Sequence, residues 1–253
     1  MPAKNKDLHG NVPDACPVAL LLIDVINDLD FPGNQWLVKH AAPLANRIAA
    51  LKKRARAAAI PVIYVNDNFG KWQSDFQKQV QHCLQDGVPG QMLAEKLKPE
   101  ADDYFVLKPK HSGFFSTTLD TVLRYLDAHT LILAGIAGDR CVLFTANDAF
   151  LREFRIFVPS DCVISNDAQQ NRHALKLMER VLEADIRPSS KLNLARLKIS
   201  GEEKIMAKRE LINTGTDKRY ADRRTKSRTR AKAGQGDKGD RKVSATKNGS
   251  RRR

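Results

Sequence analysis

Long apolar runs, clustered cysteines and nucleotide-binding glycine motifs are scarce or missing in this 253-residue chain, and each absence removes a class of function. The longest uninterrupted apolar run is Val18 to Ile23, six residues. A spanning helix needs roughly 20, so a membrane-embedded protein is excluded. The same run is cut off by Asp24 too soon to serve as the apolar region of a secretory signal. Four cysteines, Cys16, Cys83, Cys141 and Cys162, are too sparse for a disulfide framework and have no CxxC spacing for zinc. A reducing, cytoplasmic location is the resulting expectation. The GIAGDRC segment does not make GxGxxG, and the phosphate-cradling GxxxxGKS or GxxxxGKT pattern does not occur, so no nucleotide cofactor is expected.

What the chain does have is basic charge, unevenly placed. Lys and Arg number 43 against 29 Asp and Glu, a formal net charge of +14. Residues 201–253 hold 18 basic and 7 acidic residues, a net +11, which leaves +3 for residues 1–200. A helical stretch can run to about Asn213, but from Asp217 onward large apolar residues nearly vanish. Such a segment buries too little surface to offset its ordering entropy and is expected to be disordered. Its charge is a footprint for weak polyanion binding, although a single aromatic, Tyr220, lacks the stacking of a single-strand binder. Two readings stand. Either the tail is a solvated appendage of an enzyme, or the folded body is a catalytically silent scaffold whose tail associates with nucleic acid or an anionic surface. Deletion of residues 201–253 separates them, because only in the first does turnover survive the loss of polyanion binding.

Residues 1–16 are polar, contain Gly10 and Pro13, and read as an irregular arm; the body spans 17–199 and the tail 200–253. Within the body, short apolar runs alternate with stretches of helical period. PVALLLID is followed by a helix from Ala41 to Ala59, with Leu44, Ile48 and Leu51 on one face, and then by PVIYVND. The alternation continues through Tyr104–Lys108, a helix from Thr117 to about Ala128, Thr130–Gly135, a helix from Cys141 to Phe154, and Arg155–Asp161. A last helix covers about Asp167 to Ala184, and Asp185–Leu192 is a candidate edge strand. Strands apolar on both faces with helical crossovers predict an α/β fold: a three-layer α/β/α, doubly wound, mainly parallel sheet.

In such a sheet, chemistry gathers at the carboxyl ends of the strands. Those ends carry Asp24, Asn66 and Asp67, Lys108, and the stretch Gly135 to Cys141. An acid, a lysine and a cysteine therefore project toward one rim from positions 84 and 33 residues apart. A cysteine attacks only as thiolate, and a cation or a helix N-terminus lowers its pKa. Cys141 would have both, with Asp24 to take the thiol proton and pass it to a leaving group. Taken singly, each residue has a plain alternative. A lone cysteine in apolar surroundings is usually a small core residue, Asp24 could cap a loop, and Lys108 could be a solvated charge.

The segments LLIDVINDLDFPG, VLKPKHSGFFSTTLD and LILAGIAGDRCVLFTANDAFLREFRIFVPSDCV resemble the isochorismatase-like hydrolase superfamily over residues 17 to 190, in the order and spacing of its cysteine hydrolase and amidase branch. The resemblance implies a catalytic triad of Asp24, Lys108 and Cys141. It also implies a cis peptide at Ile136–Ala137 and an oxyanion hole made by the N–H groups of Ala137 and Cys141. Gly138-Asp139 stands where many members have Thr-Asp. A cysteine at position 141 favours C–N hydrolysis through a thioester over vinyl-ether hydrolysis, and so an amidase acting on a small amide, carbamoyl or ureido compound. Nicotinamidases in addition bind a metal through an acid and nearby histidines. Here Asp67 holds the acidic place, but the following residues supply no imidazole before His82, and Leu29 replaces a usual pocket Phe. No metal, no cofactor and no nicotinamide substrate are therefore expected. Asn66, Asn68, Phe69 and Trp72 are candidate pocket residues, with Phe69 and Trp72 equally readable as core aromatics under a loop. Lys110 and His111 read as loop or surface groups. A small-molecule substrate and a homo-oligomer complete the expected partners, the latter by analogy alone.

Overall fold

Parallel strands buried on both faces need apolar residues at every position, and the first strand, β1 (Val18–Ile23, VALLLI), is buried throughout. The computed structural model describes residues 15–69, 75–203 and 205–207. Five more strands follow: β2 (Val62–Asp67), β3 (Tyr104–Lys108), β4 (Thr130–Ile136), β5 (Arg155–Phe157) and β6 (Val163–Ile164). Their order is β3-β2-β1-β4-β5, with β6 also paired to β4, and every pairing is parallel. The order reverses between β1 and β4. In a doubly wound sheet that reversal opens a crevice at the carboxyl ends of the two strands.

Helices α1 (Gln35–Ala57), α2 (Phe76–Gln85) and α3 (Gln91–Lys96) cover one face. There Leu44, Ile48, Phe76 and Leu93 join Leu20, Leu22 and Tyr64 of the sheet in one buried cluster. Helices α4 (Leu119–Tyr125), α5 (Leu143–Leu151) and α6 (Ala168–Val181) cover the other. Leu123, Ala146 and Met178 pack there on Leu21, Ile23, Val65 and Leu133. The alternation of Leu20 and Leu22 with Leu21 and Ile23 between the two clusters is the period-two geometry of a strand. The fold is the expected three-layer α/β/α sandwich.

Several boundaries differ from the sequence reading. Helix α1 begins at Gln35, six residues before Ala41, and runs through Pro43. Helices α2 and α3 were not anticipated, because FQKQVQHCLQ and QMLAEK are short. The Asp185 element pairs with Phe157 as a single parallel bridge rather than a strand. Cys16 belongs to the body: it is buried, and its N–H donates to Leu126 O at 2.6 Å. Residues 194–203 are helical, and a Cβ on Gly201 would meet Pro17 Cβ at 2.5 Å, so the body extends past residue 199. Contacts divide the chain after Ile205, and the second unit, Met206–Arg253, is described only at residues 206–207. The expected disorder and polyanion binding of the tail lie outside the described residues, as do residues 1–14 of the arm. Among the described residues, no helix is long and apolar enough to cross a membrane.

Candidate active site

The crevice between β1 and β4 brings three distant residues together. Asp24 leaves β1 in a left-handed conformation, φ 50°, and its N–H donates to Val65 O at 2.9 Å. This turn sets the carboxylate across the strand ends, where Oδ1 accepts the Asp67 N–H at 2.7 Å. Oδ2 lies 2.8 Å from Lys108 Nζ, which is fully buried at the end of β3. The same ammonium donates to Cys141 Sγ at 3.5 Å. A third charge completes the group, since Asp67 Oδ2 is 3.4 Å from Lys108 Nζ.

Close approach of β1 and β4 is what makes this reach possible. Gly135 pairs with Ile23, the residue before Asp24, and has φ 128°. A Cβ there would meet Ile23 O at 2.0 Å, so only glycine fits. The Ile136–Ala137 peptide is cis, at the position the resemblance implied. Cys141 does not open α5, as the sequence suggested. A π-helical turn over Gly138–Val142 precedes α5, and Cys141 is its fourth residue. Single π-helical turns are rare and recur at functional sites.

The electrostatics also depart from the sequence reading. Cys141 was expected to have a lowered pKa; instead burial pushes its thiol up to about 12, Asp24 adds to the rise, and Lys108 opposes it. Burial raises Asp24 above the usual carboxylate range, against the attraction of Lys108 and a hydrogen bond with Cys141. Burial works against the Lys108 ammonium as well, but Asp24, Cys141 and Asp67 together outweigh it and raise its pKa. The resting arrangement is a thiol beside a carboxylate–ammonium pair, a nucleophile with its base already in contact.

A profile scan matches residues 18–185 to the isochorismatase domain. The chain belongs to the isochorismatase family. An isochorismatase family protein of Bacillus subtilis (strain 168), YaaI, is 43% identical over 168 residues, which are 66% of this chain and 92% of that protein. The ureidoacrylate amidohydrolase RutB of Methylobacterium radiotolerans is 31% identical over 173 residues, covering 58% of this chain and 67% of the relative. Among solved structures, N-carbamoylsarcosine amidase from Thermoplasma acidophilum aligns with a TM-score of 0.53 at 27% identity, covering 70% of this chain and 98% of that one.

The isochorismatase-type pocket candidates fare differently. Asn66 is fully buried and donates through Nδ2 to Ile26 O at 2.5 Å, so it braces the loop after Asp24 and does not line an open wall. Asn68 is also buried, its N–H donating to Lys108 O at 2.9 Å. Phe69 is 46% exposed at φ 53°, which removes the reading of it as a core aromatic. Trp72 lies outside the described residues. Among the described residues, the metal ligands of nicotinamidases have no counterpart set. Asp67 turns to Lys108 and to the Phe69 N–H, and the ring of His82 contacts Asp28 and Asp86 instead. The donors do not fit a metal there.

Four residues escaped the sequence reading. His111, read as a loop group, places Nδ1 3.7 Å from Cys141 Sγ. Thr145 is fully buried, donates to Cys141 O at 2.7 Å and accepts the Gly113 N–H at 3.0 Å. Asn171 occupies the space beside Gly138, where an added Cβ would lie 2.2 Å from its Oδ1. Its amide donates to Val163 O at 3.1 Å and accepts from Ser165 Oγ at 3.0 Å, while Ser165 Oγ accepts the Asp139 N–H at 3.0 Å. Gly138 was the available signal: a residue without a side chain where the family pattern has one implies that another group fills the volume.

Proposed function

We propose that the protein is a cysteine hydrolase that cleaves a C–N bond in a small amide, carbamoyl or ureido compound through a thioester intermediate. The observation that carries this is the convergence of Asp24, Lys108 and Cys141, with Lys108 Nζ 2.8 Å from the carboxylate and 3.5 Å from the sulfur. Asp24 takes the thiol proton as Sγ bonds to the substrate carbonyl carbon. Lys108 supplies the positive charge that the emerging thiolate needs in a buried site. The N–H groups of Ala137 and Cys141 receive the developing oxyanion. Asp24 then passes its proton to the departing nitrogen as the C–N bond breaks, and water releases the acyl group.

A base in contact with a thiol of pKa about 12 suits this chemistry. The sulfur becomes nucleophilic only as the substrate engages it, so a free thiolate is not exposed to oxidants between turnovers. Two relatives support the carbamoyl or ureido class by their names, ureidoacrylate amidohydrolase and N-carbamoylsarcosine amidase. The test is a screen of amides, N-carbamoyl acids and ureido acids with the wild type and Cys141→Ser. Turnover by the wild type, its loss in a folded Cys141→Ser variant, and a thioester adduct at Cys141 by mass spectrometry are expected. Undiminished turnover in Cys141→Ser would overturn the mechanism.

A further inference from the structure

Asp24 and Lys108 stand on the buried side of the Cys141 sulfur, and His111 stands on the exposed side. Its Nδ1 is 3.7 Å from Sγ, and its ring packs against that of Phe144, with centroids 5.4 Å apart. The loop that carries it is held at several points. Ser112 Oγ donates to Asp148, Gly113 N–H donates to Thr145 Oγ1 at 3.0 Å, and Thr117 Oγ1 donates to Gly113 O at 2.5 Å. A Cβ on Gly113 would lie 2.8 Å from Val65 Cγ1, so the loop sits directly on the sheet. Thr145 ties that loop to the turn bearing Cys141, because it also donates to Cys141 O. An exposed histidine is thereby positioned over the nucleophile by two rigid elements.

Hydrolysis of a thioester needs a water, and water reaches this sulfur from the exposed side. Asp24 meets the sulfur from the buried side, where Oδ1 accepts the Asp67 N–H and Oδ2 contacts Lys108, whereas the His111 ring stands on the side from which water enters. A thioester carbon lies one bond from Sγ, so an imidazole nitrogen 3.7 Å from sulfur is within one bridging water of it. We propose that His111 is the general base of the second half-reaction, activating the water that hydrolyses the Cys141 thioester. The proposal rests on the cysteine hydrolase reading above. The water proton passes to the imidazole as the oxygen bonds to the acyl carbon. The C–S bond breaks with its electron pair on sulfur, and the imidazolium returns the proton to Sγ, restoring the thiol and releasing the acid. Asp24 serves acylation and His111 deacylation, one base on each side of the sulfur.

The test uses the full chain with p-nitrophenyl acetate, which reports acylation as p-nitrophenolate and leaves an acetyl group on the enzyme. His111→Gln is expected to give a burst of wild-type rate and amplitude, followed by steady turnover slowed about 10²-fold or more. Intact-mass analysis should then find acetyl-Cys141 accumulating, and hydroxylamine, which needs no base, should discharge it. Equal rates of acetyl-enzyme decay in His111→Gln and wild type would overturn the proposal. So would a burst slowed as much as the steady state, which marks a structural or substrate-binding role. Absence of any Cys141-dependent release of p-nitrophenolate by the wild type, burst or steady, would overturn the underlying cysteine hydrolase reading instead, so the two failures are distinguishable.

Discussion

Lys108→Met isolates what the buried ammonium contributes, because the replacement keeps a long side chain and removes only the charge and its hydrogen bonds. At the 2.8 Å separation from Asp24 Oδ2, a unit pair in an effective dielectric of about 20 interacts by roughly 6 kcal/mol. Part of that offsets the desolvation of both ions, and removing one member of a buried pair typically costs about 3 to 5 kcal/mol. Unfolding by urea at about pH 7.5 should show a deficit in that range, and a melting temperature lower by on the order of 10 °C. The pH dependence tells charge from packing. Without Lys108, the Asp24 carboxylate is buried with no cation beside it, and its folded pKa rises further above the unfolded value. A carboxylate so raised binds its proton more tightly in the native state, so the variant gains stability relative to wild type as pH falls. One proton taken up across about two pH units restores at most roughly 2.7 kcal/mol. The deficit should therefore shrink between about pH 7.5 and pH 5.5. A deficit that is constant over that interval, or below about 1 kcal/mol throughout, would refute the view that Lys108 acts by neutralising Asp24.

Two further outcomes follow from the same geometry. The profile of kcat/KM against pH should show an acid limb above the usual carboxylate range of about 4, because burial raises Asp24 and the base must be ionised to act. It should stay flat on the alkaline side to about pH 10, since the Cys141 thiol sits at about 12 and Lys108 is raised. A falling limb between about pH 7 and 9 would show a thiol titrating near its free value. Gly138→Ala should cost about 1 to 3 kcal/mol by overpacking against Asn171 and Val163. In an Asn171→Ala background the part due to Asn171 should vanish while the Val163 contact remains, and equal costs in both backgrounds by urea unfolding would remove Asn171 as the reason for the glycine.

Much of the architecture could be read directly along the chain. VALLLI and VIYV, apolar at every position and alternating with helical stretches, point to doubly covered parallel strands, because helical crossovers cover both faces of such a sheet. The strand ends then gave a short list that includes Asp24, Lys108 and Cys141, since a parallel sheet delivers its carboxyl ends to one rim, and the resemblance to a known family singled out those three. Short helices such as α2 and α3 were less legible, because ten and six residues are too few to be stable alone and such helices draw their stability from docking onto the sheet.

What only the tertiary structure decided is the state of the site. A sequence shows that a lysine and a cysteine share a rim, which suggests a lowered thiol pKa. It does not show that the sulfur is buried beside a carboxylate, and burial together with that neighbour reverses the sign. Nor does it show that His111, three residues beyond Lys108 on a loop, is held over the sulfur by Thr145 and Phe144. Gly138 and Asn171 are 33 residues apart, and their exclusion of one another depends on the packing of α6 against the turn that carries Cys141. Composition and periodicity determine which residues reach the rim, because those depend on local chain geometry. Desolvation, proton affinity and steric exclusion depend on every atom within a few ångströms, and those atoms come from segments that meet only once the chain has folded.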